Sequence, residues 1–193
     1  MGRPREFDNE VALDCALSAF WSNGFDGTSM DQLMAEMKLS RQSLYNAFGD
    51  KEALYLTCLD RYQSQSLENL RALLAGPVRR GFASLFNSIL VEPDEVKRRG
   101  CFMVNSAMEL APRQVHVADR VARNLKLLEE LFATALTRGV NSGELSLPSN
   151  RTRATARFLI AALQGLRVLA KTDPGSDSLR DVVSTTLRVL DPG

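Results

Sequence analysis

The chain has 193 residues, 45% apolar and 24% charged, with a net charge of +1. This is the make-up of a folded, water-soluble protein with one or two cores, which excludes a disordered or collagen-like chain. No stretch reaches the ~18 apolar residues of a membrane span, so no membrane partner is expected. The opening M-G-R-P-R-E-F-D has no apolar signal region. Cys15, Cys58 and Cys101 are scattered, and His116 is the single histidine, so neither a disulfide frame nor metal-ligand spacing is present. The expected setting is the reducing cytoplasm, without metal or other cofactor.

Leu13, Ala16, Leu17 and Phe20 recur at helical spacing and predict a first helix over 9–24. Trp21 and Phe25 close its edge, and Gly24 ends it as a C-cap glycine. Ser29, with Gln32 three residues on, has the spacing of a capping box and opens a helix from Met30 to Met37, with Leu33, Met34 and Met37 on its inner side. After the break at Lys38-Leu39-Ser40, Ser40 is placed to cap a helix from Arg41 to Phe48, and Asp50 to cap another that begins at Lys51. Two helices joined by so short a turn form a helix-turn-helix arrangement. On the second of them, at about 100° per residue, Leu44, Ala47 and Phe48 form a core face. Gln42 and Asn46 stand opposite, flanked by Ser43 and Tyr45. Surface helices normally carry Lys and Glu in such places, whereas Gln and Asn pair bidentately with adenine edges in the major groove.

Gly24-Phe25, Thr28-Ser29, Ser40, Leu44-Tyr45, Phe48 and Asp50-Lys51-Glu52-Ala53-Leu54 together resemble the DNA-binding domain of the TetR/AcrR family of bacterial transcriptional regulators, over about residues 3 to 56. The resemblance implies that Arg41, Gln42, Ser43, Tyr45 and Asn46 face double-stranded DNA from the recognition helix. It implies phosphate contacts for Tyr45 and Lys51, backbone contacts for Ser29 and Ser40, and a mobile basic arm bearing Arg3 and Arg5. Gln42 and Ala47 depart from the family, which often has a small residue or Pro at the first position and His at the second. Charge runs against the expectation for a DNA-binding domain: residues 1–52 hold five basic groups and nine acidic ones, a balance of −4.

From Lys51 a long helix is predicted to about Leu74, broken by Gly76-Pro77. Further helices are expected at 78–92, 100–111, 114–141, 149–171 and 177–190, with no alternating strand pattern. The fold expected is therefore all-α, an N-terminal helix-turn-helix domain over 1–52 joined to a C-terminal helical bundle over 53–193 for ligand binding and dimerisation. Ala154, Ala161 and Gly165 form a strip of small residues, and Leu179, Val182, Val183, Thr186, Leu187 and Leu190 form an amphipathic stripe. Together they suggest the seam of a homodimer, which the family resemblance also implies, against the reading that both segments only close the core of one chain. Such a dimer would address a near-palindromic operator.

A small-molecule effector site is expected where Cys101, Phe102, Asn105, Met108 and Glu109 share a helix near Phe82, Phe86 and Phe158, because Phe and Met with a few fixed polar groups suit a ligand pocket. The competing reading is plain core, with Glu109 paired to Arg113 one turn on. Lys97, Arg98 and Arg99 stand just before Cys101 and raise the possibility of an activated thiol, against the default of a buried inert one. No nucleophile elbow, phosphate loop or dinucleotide fingerprint occurs, so no enzyme is expected. The alternative to a regulator is a helical small-molecule-binding or adaptor protein that binds no specific DNA.

Overall fold

The computed structural model describes residues 3–172 and 177–190, with side chains from residue 9 onward. The described residues form α-helices with two short 3-10 turns and no strand. They divide into two compact units, one of Met1–Ser64 with Phe102–Val121 and the other of Gln65–Cys101 with Ala122–Gly193. The division does not fall at residue 52. It runs through the middle of one long helix, and it returns a later segment of the chain to the first unit.

The first unit holds α1 (Arg3–Asn23), α2 (Met30–Met37), α3 (Arg41–Phe48), the first half of α4 (Lys51–Leu74), α7 (Phe102–Glu109) and the start of α8 (Val115–Asn141). Ala12, Ala16, Leu17, Ala19 and Phe20 bury one side of α1, and Leu33, Met37, Leu44, Leu54 and Leu59 meet them from α2, α3 and α4. Aromatic rings form the centre of this core. Tyr55 meets Phe20, Phe25 and Phe102 edge-on, with centroids 4.9, 5.1 and 5.4 Å away. Trp21 packs against Tyr62 at 5.1 Å. Offset and edge-to-face pairs of this kind add about 0.5–1.5 kcal/mol each beyond the area they bury.

The second unit holds α5 (Val78–Val91), α6 (Asp94–Arg99), α9 (Thr152–Thr172), α10 (Asp177–Leu187) and the remaining parts of α4 and α8. One contiguous core runs through it, from Leu67 and Leu70 through Phe82, Phe86 and Ile89 to Phe132, Leu136, Leu159, Leu163, Leu179 and Val183. Pro77 precedes α5 and offers no side-chain cap. The N-terminal N–H groups are met instead by Glu144, whose carboxylate accepts from Val78 and Arg79 at 2.9 Å each.

The ends predicted for α2, α3 and the start of α4 coincide with those found, because Ser29, Ser40 and Asp50 accept the N–H groups of Gln32, Ser43 and Ala53 at 3.1, 3.2 and 2.8 Å. The capping box is only half made, since the Gln32 side chain turns forward to Glu36. The helix expected over 100–111 is shorter, and α6 has no counterpart among the expected helices. Gly100 is the C-cap of α6, at φ 67, rather than the opening of the next helix.

Candidate nucleic-acid interface

The turn between α2 and α3 is closed by backbone geometry. Lys38 adopts the left-handed conformation at φ 54, and the N–H groups of Lys38 and Leu39 return to Ala35 and Met34, so the last carbonyls of α2 are satisfied. Ser40 then opens α3 through its side-chain bond to Ser43, a cap worth about 1 kcal/mol. Leu44 is the buried anchor of α3 and Phe48 is half-buried. Ala47, expected in the core, lies on the solvent side.

Arg41, Gln42, Ser43, Tyr45 and Asn46 are all exposed on α3. Tyr45 keeps 44% of its surface open, unusual for so large a ring. Gln42 donates its amide N–H to Asn46 Oδ1 at 2.9 Å, an i to i+4 pair that fixes both amides on one face. Each still has donor and acceptor capacity for a base edge. Arg41 reaches Asp31 of α2 at 3.3 Å with both groups largely exposed, so little energy opposes its release to a phosphate. Ser29 and Ser40 are exposed at the N-termini of α2 and α3, where the unpaired N–H groups and helix dipole favour an anionic oxygen. Lys51 is half-buried in the first turn of α4, its ammonium 4.4 Å from the centroid of the Phe25 ring. Arg3 and Arg5 fall in the first turns of α1, with side chains outside the described residues. The basic arm expected there is therefore helical in its backbone from Arg3 onward.

Part of the acidic charge of the first unit is paired within it. Asp14 and Glu10 of α1 flank Arg61 of α4 at 3.1 and 3.8 Å, and the Asp14 bond is what chiefly raises the pKa of the guanidinium. Asp60 holds Arg120 at 3.1 Å, and Asp26 pairs with Arg113. These acids are occupied by arginines of the same unit. Asp31, Glu36, Asp50 and Glu52 stay on α2 and around the start of α4, so the field there remains a mixture of both signs.

The residues expected to line an effector pocket divide between the two units. Phe102, Asn105, Met108 and Glu109 belong to the first unit, and Phe82, Phe86, Cys101 and Phe158 to the second. Phe82 and Phe86 are fully buried core, with Phe82 edge-on to Phe132 at 5.0 Å. Met108 is 78% exposed. Glu109 is engaged elsewhere: its carboxylate accepts the backbone N–H groups of Phe25 and Asp26 at 3.1 and 3.0 Å. Arg113 does not pair with that carboxylate but donates to the Glu109 main-chain oxygen. Phe158 alone of the eight lines the cleft of about 760 Å³ formed with Leu147, Asn150, Arg151 and Val189. Cys101 is half-buried and forms no disulfide.

Sequence reasoning missed the anchoring of the turn between α1 and α2 by Glu109 and Arg113. No local pattern could reveal it, because the partners lie 83 to 87 residues apart.

A pair of short helices with serine-capped ends, a tight left-handed turn and a polar, amide-bearing outer face defines a helix-turn-helix DNA-binding protein. Comparison with known proteins makes this specific. Residues 12–58 match the model of bacterial regulatory proteins of the tetR family, and residues 67–186 match the tetracyclin repressor-like C-terminal domain. The chain is 33% identical to the HTH-type transcriptional regulator YezE of Bacillus subtilis, over 99% of this chain and 100% of that protein. It is 29% identical to the HTH-type transcriptional repressor ComR of Escherichia coli, over 97% and 91%. A TetR family regulator from Cytophaga hutchinsonii shares the fold, with a TM-score of 0.86 at 16% identity over 98% and 96% of the two chains. A cysteine mutant of the TetR family regulator CifR, solved with 26-bp operator DNA, superposes with a TM-score of 0.81 at 31% identity, over 98% and 100%. The chain belongs to the TetR family, and it is a DNA-binding transcriptional regulator.

Proposed function

We propose that the protein is a homodimeric, ligand-responsive repressor acting in the cytoplasm, and that it binds a near-palindromic operator through α3. The observation that carries this is the outer face of α3, where Gln42, Ser43, Tyr45 and Asn46 are exposed together between two capped ends. Gln42 and Asn46 read base edges, Tyr45 and Lys51 hold phosphates, and Ser29, Ser40 and Ser43 bind backbone oxygens at helix starts. Arg41 exchanges Asp31 for a phosphate, and Arg3 and Arg5 add contacts from the start of α1.

Dimerisation uses the exposed side of α9. Ala154, Phe158, Ala161, Gly165 and Val168 recur at spacings of four and three residues and are all exposed, the spacing of a helix-pairing seam. Nothing lies within 4 Å of where a Gly165 side chain would begin, so a second helix can approach closely there. Two copies paired about a two-fold axis carry two α3 helices to half-sites about 34–36 Å apart. A small molecule that favours one arrangement of the C-terminal bundle shifts the population away from the operator-binding form, with tilting of α4 as the route. The protein acts by binding, without catalysis.

Footprinting on promoter-proximal DNA, titrated across salt, tests this. A protected near-palindrome is expected. Gln42→Ala should cost about 1–3 kcal/mol at particular base pairs, while Lys51→Ala should weaken all sequences alike and lower the salt slope by about one. Absence of specific protection, on that DNA and on a random-sequence pool, would favour a helical ligand-binding or adaptor protein instead.

A further inference from the structure

The turn between α1 and α2 is held from outside by one carboxylate. Glu109 ends α7, and its two oxygens accept the N–H groups of Phe25 and Asp26. Gly24, just before them, has φ 76, and a Cβ there would stand 2.9 Å from the Glu109 oxygen. Both the backbone conformation and the space at that position therefore call for glycine. Arg113, one turn beyond Glu109, donates to the Glu109 main-chain oxygen and pairs with Asp26, so both ends of the contact are tied. Behind it, the buried Tyr55 hydroxyl bonds Ser106 of α7 at 2.6 Å, which fixes α7 against α4.

The groups that this turn carries are those assigned above to DNA. Phe25 lies under the Lys51 ammonium. Thr28, fully buried, donates to the Gly24 carbonyl at 2.6 Å, and the next residue, Ser29, caps α2. Three residues thus separate the N–H of Asp26 from the capped start of α2. A displacement of the turn is passed to α2, and Lys51 loses the ring that orients it.

We propose that Glu109 is a positioning residue for operator binding. It touches no DNA, and it sets the turn over 24–28 so that the start of α2 and Lys51 stand in register with the phosphates. The proposal rests on the DNA-binding function described above.

The test uses the full chain, with Glu109→Ala and Glu109→Gln beside wild type. Affinity is measured for the footprinted operator and for a scrambled duplex of equal length across salt, and hydrogen exchange is followed at the Phe25 and Asp26 amides. Glu109→Ala should lose about tenfold or more on the operator, since bonds to a charged acceptor are among the stronger ones, and because the groups it positions are phosphate contacts the scrambled duplex should weaken too and the salt slope fall, while the unfolding midpoint stays that of wild type. Glu109→Gln keeps one acceptor oxygen and should fall between, with faster exchange at one of the two amides. Wild-type operator affinity in Glu109→Ala would overturn the proposal. So would an equal loss on both duplexes accompanied by a lowered unfolding midpoint, the mark of a merely structural role. A wild-type chain that fails to discriminate the duplexes defeats the DNA-binding function itself and removes the proposal with it.

Discussion

Phe102→Ala should destabilise the DNA-binding unit although position 102 lies far along the chain from the helix-turn-helix. The ring is 1% exposed, and its centroid stands 5.4 Å from Tyr55, 5.7 Å from Tyr62 and 6.3 Å from Trp21. Truncating a buried Phe to Ala costs about 3–5 kcal/mol, and the three aromatic neighbours place this site in the upper part of that range. Against a typical total of about 5–15 kcal/mol, that is a large fraction. Trp21 is the single tryptophan of the chain, so its fluorescence reports this unit during urea unfolding. With a slope of about 2 kcal/mol/M, the midpoint should fall by about 2 M. A midpoint within about 0.5 M of wild type would refute the assignment of α7 to this core.

Two further predictions concern pH. Burial, partly offset by the Ser106 hydrogen bond and reinforced by the nearby Glu109 charge, pushes the Tyr55 pKa from 10.0 up to about 12. Its contribution is therefore complete below pH 10 and lost as pH rises toward 12. Tyr55→Phe should cost about 1 kcal/mol at neutral pH and flatten that alkaline limb, read by unfolding at pH 9 to 12. An unchanged limb would argue against a buried phenol. Arg157 first, then Arg153, hydrogen-bond Glu129 and hold its carboxyl down, from 4.5 to about 2. That contribution is full above pH 4.5 and disappears as pH falls toward 2, so Glu129→Gln should show a shallower acid limb. Acid titrations of the two proteins that run parallel would count against it.

Local chemistry explains which parts of the fold were legible. Serines and an aspartate placed one residue before a helix announce its start whatever the tertiary setting, and this fixed α2, α3 and α4. Helix α6 escaped because six residues are too few for an apolar period, although Pro93 before it, Asp94 and Glu95 in its first turn and Lys97 to Arg99 in its last mark a helix by dipole alone. Ala47 was misplaced because a wheel gives angles and not neighbours. The face of α3 was readable from residue type, since short amides replace the usual Lys and Glu. Glu109 shows the limit. On its own helix it is an acid in an apolar run, equally suited to a ligand, an ion pair or solvent, and only the folded chain reveals the two N–H groups that occupy it.

The discontinuity of the first unit bears on how such a regulator can be re-engineered. Exchanging DNA specificity by grafting residues 12–58, the segment matched by the family's N-terminal model, would leave α7 behind. The transplanted turn would then meet whatever side chain the recipient carries in place of Glu109, and Tyr55 would meet a stranger in place of Ser106 and Phe102. A working chimera must carry 102–121 along with the helices it serves, so the smallest exchangeable module of this regulator is two stretches of sequence and not one.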